Sequence, residues 1–254
     1  MQVKQTVQQM MLAGVHFGHK QKNPKMTPYI YTEKDDLQII DLLQTYKYLR
    51  NASQFLFEAC QNGQQILFVG TKKHISKCIE QTATECNSWY INKRWLGGLL
   101  TNLNTMQKSI SAAATLQPVG LQQYVSASYT APSEGRQVTE QSHSQNALTK
   151  KEVARLERRK KRLQKYLGGV KTMSKLPDIV IIIGQQKEIN AVRECQKLKI
   201  TSLTILDTNC DPSLTDLFIP ANDDSLASVN FILNQLSKAI KEGKRKKKEK
   251  KYVK

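Results

Sequence analysis

Two stretches of the chain carry short apolar runs separated by amphipathic segments. Gln65-Ile-Leu-Phe-Val-Gly70 is unbroken and ends in glycine, the pattern of a strand buried on both faces. Thr71 is placed to cap a helix reaching about Cys86, and Trp89-Tyr-Ile91 is a second short strand. The signal is stronger at Pro177-Asp-Ile-Val-Ile-Ile-Ile-Gly184, where five β-branched residues follow one another. A helix through Ala191, Val192, Cys195 and Leu198 follows, then strands at Ser202 to Leu206 and Leu217 to Ile219. Asp224 opens a last helix whose apolar positions, Leu226, Val229, Leu233, Leu236 and Ile240, step 3-4-3-4. A long helix from about Asp41 to Cys60 precedes the first strand. Such strand–helix–strand units predict an α/β fold with a parallel sheet and helices on both faces.

The middle of the chain breaks that pattern. Leu99, Leu103, Met106, Ile110 and Ala113 step 4-3-4-3, and Val153, Leu156, Leu163 and Leu167 continue a narrow seam after a Thr149-to-Glu152 capping box. These spacings predict an antiparallel helical hairpin over 101–167. Its tip, 117–145, is rich in Ser, Gln, Thr and Ala and reads as a flexible excursion. Residues 1–100 and 168–243 are then a discontinuous α/β core, and 244–254 a basic tail without structure of its own.

Charge sharpens this division. The 254 residues include 39 Lys+Arg and 21 Asp+Glu, a formal net charge of +18. Residues 150–175 carry +9 and 237–254 carry +8, whereas 1–149 carry +5 and 176–236 carry −4. The positive charge therefore belongs to one arm and one tail on a nearly neutral body, which points to a polyanion. No run of about 18 apolar residues exists to span a membrane, and the basic tail has no apolar face to insert in one. The N-terminus has neither the basic start and apolar stretch of a signal peptide nor an Arg/Ser-rich transit composition. Five scattered cysteines without a C-x-x-C pair read as reduced, buried thiols.

Several loops carry chemistry. His16-Phe-Gly-His19 with Lys20, Lys22, Asn23 and Lys25 gathers imidazoles and amines on irregular backbone, suited to phosphates or simply to packing over a sheet edge. A metal reading of His16 and His19 lacks a third ligand. Thr71, Lys72 and Lys73 stand where a strand meets a helix, a place that favours phosphate, although no P-loop spacing is present. Asn92-Lys93-Arg94-Trp95-Leu-Gly97-Gly98, with Thr101 and Asn102, offers stacking, charge and close backbone approach, all useful against RNA. Trp95 alone favours packing in a core. Asp207 to Pro212 and Asn222 to Asp224 read more simply as turns and helix caps than as a metal or catalytic site. Arg155, Arg158, Arg159, Lys160, Lys161 and Arg162 cover nearly a whole helical turn with positive charge. No glycine-rich dinucleotide fingerprint and no nucleophile–base pair accompany the strands. An α/β nucleotide-binding protein or enzyme using the strand-end loops is the alternative from another class, and no cofactor is called for.

In order along the chain, Leu12-Ala-Gly-Val-His-Phe-Gly-His19, Asn23-Pro-Lys-Met26, Phe68-Val-Gly-Thr-Lys-Lys73, Lys93-Arg-Trp-Leu-Gly-Gly98, Leu176-Pro-Asp178, Asp207-Thr-Asn-Cys-Asp-Pro212 and Ile219-Pro-Ala-Asn-Asp-Asp224 resemble the ribosomal protein S2 family. Leu163-Gln-Lys-Tyr-Leu167, Gln185-Gln186 and Arg193-Glu-Cys195 look most like its plastid branch. The resemblance implies a flavodoxin-like three-layer α/β/α core with a protruding helical hairpin and no catalysis. It also implies small-subunit ribosomal RNA and neighbouring small-subunit proteins as partners, with messenger RNA nearby. The expected place is the plastid stroma, with a bacterial cytoplasm as the alternative. Two departures bear on this: the loop after His19 is short and lacks a Trp before Asn23, and Gly184 stands where the family commonly has Asp. The excursion and the lysine-rich end are not general family features.

Overall fold

In the computed structural model, which describes residues 2–108 and 150–252, the strand signals become one parallel sheet. Helix α1 spans Gln2–Leu12 and is followed by a small antiparallel hairpin, β1 (Ile30–Lys34) and β2 (Leu37–Ile40). Then come α2 (Leu42–Asn62), β3 (Ile66–Val69), α3 (Ser76–Glu85) and β4 (Trp89–Ile91). After the middle segment, β5 (Ile179–Ile183), α5 (Ile189–Leu198), β6 (Thr201–Leu206), β7 (Leu217–Pro220) and α6 (Leu226–Tyr252) complete the body. The order of the five-stranded sheet is β4-β3-β5-β6-β7, all parallel. Counted within the sheet this is 2-1-3-4-5, the flavodoxin-like order with a switch point between β3 and β5.

The sheet is dry on both faces. All five residues of β5 are buried, as are all four of β3, which is why their sequences do not alternate. Ile66, Phe68, Ile179, Ile181, Ile183, Leu203 and Ile205 join the main core with Leu49, Leu56 and Ile79 from the helices and Val229, Leu233, Leu236 and Ile240 from α6. All five cysteines are buried free thiols. Asp41 caps α2 by accepting from the Leu43 N–H, so the helix starts where its sequence signal places it.

The chain divides into two compact units, Met1–Leu103 with Gly169–Lys254, and Asn104–Gly168. Residues 103–108 are helical, and in the second unit α4 spans Lys150–Leu167. The rest of the expected hairpin, including its 117–145 tip, lies outside the described residues.

Two expectations are corrected. The helix after Thr71 begins only at Ser76, because Thr71 and Lys72 are held by side chains across the sheet edge. The tail at 244–254 is no separate structureless segment, since α6 runs unbroken to Tyr252. Neither α1 nor the β1–β2 hairpin is foreseen from the pattern. Among the described residues, no helix is long and apolar enough to cross a membrane.

Candidate nucleic-acid interface

Parallel strands end together, so the loops after β3 to β7 share one edge of the sheet, and the loop from His16 to Met26 is stitched to it. The Gly18 N–H donates to the Gln38 carbonyl at 2.8 Å. The His19 N–H reaches Thr208 Oγ1 at 2.9 Å and Asp207 Oδ1 at 3.1 Å, and the Asn23 N–H reaches the Thr208 carbonyl at 2.8 Å. The Asn23 side chain accepts from the Lys25 N–H and opens the short helical turn Pro24–Tyr29.

Gly18 is what lets this loop lie flat. A Cβ there would stand 2.5 Å from Thr208 Cγ2 and 2.8 Å from the Gln38 carbonyl oxygen. Gly18→Ala is expected to lift the loop and cost about 1–3 kcal/mol of stability, read as a lower urea midpoint. A parent-like midpoint would remove the close-approach argument.

Phe17 is exposed and tilted against the His16 ring, with centroids 4.0 Å apart. Burial lowers the His16 pKa and so favours its neutral form. His19 and Lys20 are exposed. Lys25 donates to Asp211 at 2.8 Å and to Ser213 Oγ at 2.7 Å, and the Lys25 ammonium with the Ser213 hydroxyl holds Asp211 down to about 2. Lys22 faces Glu33 at 3.5 Å across solvent.

The loop after β3 turns inward. The Thr71 N–H donates to Glu188 Oε1 at 3.0 Å, its hydroxyl donates to the same oxygen, and Lys187 Nζ donates to the Thr71 carbonyl at 3.1 Å. Glu188 is almost fully buried, and burial raises its pKa against the opposing pull of those hydrogen bonds. The backbone donor that favours phosphate in sequence terms is therefore already satisfied by the protein's own carboxylate.

Lys72 turns inward too. Its ammonium lies 2.8 Å from Asp223 Oδ1 and 2.8 Å from Asp224 Oδ1. Burial works against that charge, but the two carboxylates overcome it and raise the Lys72 pKa. Burial raises Asp223 despite Lys72, whereas the bond from Lys72 lowers the more exposed Asp224. Asp207 is pushed up to about 6 by burial and by the Asp223 carboxylate, against the His19 and Thr208 N–H groups it accepts. Asp207, Asp223 and Asp224 bring carboxylate oxygens within 4.8 Å of one another, the one cluster among the described residues whose chemistry suits a cation. Lys72 already supplies positive charge to two of the three. Lys73, beside it, is exposed.

The loop after β4 has the same design. Asn92 is buried, donating to the Ser76 carbonyl at 3.1 Å and to Glu80 Oε2 at 3.0 Å. Lys93 and Arg94 are exposed, although Lys93 Nζ can reach Ser76 Oγ at 3.2 Å. Trp95 is 8% exposed and is a packing residue, not a stacking platform. Its indole N–H donates to Glu194 Oε1 at 2.9 Å, as does the Gly98 N–H at 2.8 Å. Glu194 Oε2 accepts from the Leu100 N–H at 3.0 Å and the Thr101 N–H at 3.3 Å. One carboxylate from α5 thus gathers the whole turn and leaves Gly97, Thr101 and Asn102 at the surface.

In the second unit, Arg155, Arg158, Lys161 and Arg162 are exposed on α4, Lys160 is half-buried, and the side chain of Arg159 lies outside the described set. Glu188 and Glu194 are the residues that sequence reasoning misses, and the pairing of Asp223 with Lys72 escapes it too, because each partner lies about 100 or more positions away. Asn222 makes the expected turn, accepting from the Asp224 and Ser225 N–H groups, but α6 opens at Leu226 and not at Asp224, with the Ser225 hydroxyl accepting from the Ser228 N–H.

A family model described as ribosomal protein S2 matches residues 10–243. The chain is 47% identical over 243 residues to small ribosomal subunit protein uS2c of Oltmannsiellopsis viridis, spanning 95% of this chain and 94% of that protein. It is 46% identical over 242 residues to uS2c of Chlorella vulgaris, spanning 94% and 83%. It is 45% identical over 238 residues to uS2 of Synechococcus sp. (strain JA-2-3B'a(2-13)), spanning 93% and 83%.

Proposed function

The chain belongs to the ribosomal protein S2 family, and from that premise we infer that it is an RNA-binding structural component of the small ribosomal subunit, not an enzyme. It works with small-subunit ribosomal RNA and neighbouring small-subunit proteins, and the plastid ribosome is its place, as relatives named uS2c support. Cyanobacterial relatives fit the alternative of a bacterial cytoplasm. Messenger RNA passing near the same face is the finer reading.

One observation supports the RNA-facing assignment. At the carboxyl edge of the sheet some charges are matched within the protein, the largely buried Lys72 by Asp223 and Asp224 and the exposed Lys25 by Asp211. The exposed remainder is cationic: Lys20, Lys73, Lys93 and Arg94. These side chains offer donors to phosphate oxygens, while the buried network beneath them fixes their spacing. The same network argues against a nucleotide site, because Glu188 and Glu194 already accept from the backbone N–H groups that a phosphate would use.

The test is a salt series of binding to small-subunit ribosomal RNA. Changing Lys73, Lys93 and Arg94 together to Glu should make the dependence of log affinity on log salt shallower by about 2, each lost phosphate contact removing a little under one. Lys72, held inside, should contribute nothing to that slope. An unchanged slope in the triple variant would overturn the assignment of these loops.

A further inference from the structure

The lysine-rich end is one undivided charge run in sequence, and helix α6 divides it. With about 100° between successive residues, its cations sort onto two faces. Gly243 lies against α2 so closely that a Cβ would stand 2.5 Å from the Phe57 carbonyl oxygen and 2.8 Å from Cys60 Cβ. On the same side, Lys244 Nζ donates to the carbonyls of Cys86 at 2.7 Å and Asn87 at 3.0 Å, where α3 ends. Lys247 Nζ lies over Gly63, the residue that closes α2, so near that a Cβ on that glycine would be 1.8 Å away. Two ammonium groups therefore stand at the negative ends of two helices. Lys246 Nζ lies 4.9 Å from the centre of the Phe57 ring.

The outward face beside it is different, although Lys241 still reaches Glu85 at the same end of α3. Lys238, Lys241, Arg245 and Lys248 step 3-4-3 and are all exposed. At 1.5 Å per residue they form a straight row about 15 Å long. Lys241 meets Glu85 and Arg245 meets Glu249 at 3.6 Å, both in exposed pairs of the kind that contribute little. Among the described residues, Lys238 and Lys248 have no carboxylate within ion-pair distance.

We propose that this row is a second phosphate-binding surface for RNA, distinct from the carboxyl edge of the sheet. It rests on the RNA-binding reading above and adds a face which that reading does not use. Charge complementarity selects the occupant: a cation roughly every 5 Å on a rigid rod suits a regularly repeating anion. The row carries no apolar side chain with which to enter a bilayer.

The experiment uses the full chain, a small-subunit ribosomal RNA transcript and, separately, phosphatidylserine vesicles. Lys238, Arg245 and Lys248 are changed together to Gln. With helix content and Tm unchanged, the variant should bind RNA at least about tenfold more weakly at 0.1 M salt, with a slope shallower by about 2. Parent-like binding by this variant, beside weakened binding by the Lys73, Lys93 and Arg94 variant, would overturn the second surface and leave the first standing. An unmodified protein that ignores the transcript would overturn both. Vesicle capture through the row, at salt where RNA binding does not depend on it, would replace RNA by membrane and also overturn the proposal. Should the variant misfold, amine-reactive labelling of the parent decides: RNA must protect Lys238 and Lys248, and undiminished labelling refutes the contact.

Discussion

Glu194→Gln is expected to loosen the turn from Trp95 to Thr101 and to cost about 3–5 kcal/mol, a large part of a typical domain's stability. The carboxylate accepts four hydrogen bonds, two on each oxygen, from the Trp95 indole and the backbone of Gly98, Leu100 and Thr101. Glutamine retains one acceptor oxygen and turns an NH2 group toward the other two donors. Two N–H groups then face a donor in a partly dry site, where an unmet hydrogen bond costs more than the average bond contributes. Alanine should behave much the same. Urea unfolding followed through Trp95 fluorescence in a Trp89→Phe background reads the change directly. RNA affinity should fall with it while the salt slope holds, because Lys93 and Arg94 are still present but no longer fixed in place. A variant within 1 kcal/mol of its parent would show that the turn holds itself.

Lys72→Met is the second large effect, and its signature is its pH dependence. Lys72 bridges Asp223 and Asp224, and its side chain is only 17% exposed beside an Asp223 that is 7% exposed. Removing one partner of a largely buried pair leaves charge without compensation and costs about 3–5 kcal/mol near neutral pH. The sign follows from proton linkage. Burial already holds Asp223 above the ordinary carboxylate range, and burial with the Asp223 charge pushes Asp207 up to about 6. Without the ammonium both rise further, so the folded variant binds protons that the unfolded chain releases. Its deficit against the parent should therefore shrink as pH falls from 7.5 to 5. That window lies above the range where Asp211, held down to about 2, would begin to lose its bond from Lys25. Equal deficits at both pH values would mean that Lys72 acts by packing alone.

Local patterns announce elements more readily than they announce partners. The run at Pro177–Gly184 became β5 because a strand buried on both faces must be apolar throughout. Helix α2 carries its own cap in Asp41. The β1–β2 hairpin has no such announcement: β1 is exposed at four of its five positions and offers no alternation to detect. Helix α1 is hidden by its glutamines. The lysine-rich end reads as structureless for another reason, since its self-repulsion is visible in the sequence while the helix ends that offset it, those of α2 and α3, lie about 160 residues or more earlier.

The same separation hid the chemistry of the candidate site. Gly70-Thr-Lys-Lys73 and Asn92 to Gly98 are legible as unusual, and Lys73, Lys93 and Arg94 are exposed. What sorts Lys72 from Lys73, or makes Trp95 a packing residue, is a carboxylate on the far side of the sheet edge. Glu194 does not stand out within its helix, and Asp223 reads as part of a turn, because an acid near a helix start or within a helix is commonplace.

The order of the sheet also sets a timetable. Strand β3 pairs with β5 from Ile66↔Ile179 onward, and the entire second unit is made between them. Helix α2 must wait longer, for an α6 whose Lys247 stands 184 positions after the Gly63 it covers. While the chain is being made, the early half has an unfinished sheet and two helix ends without their cations. The early half of the body is therefore completed only by elements made much later in the chain.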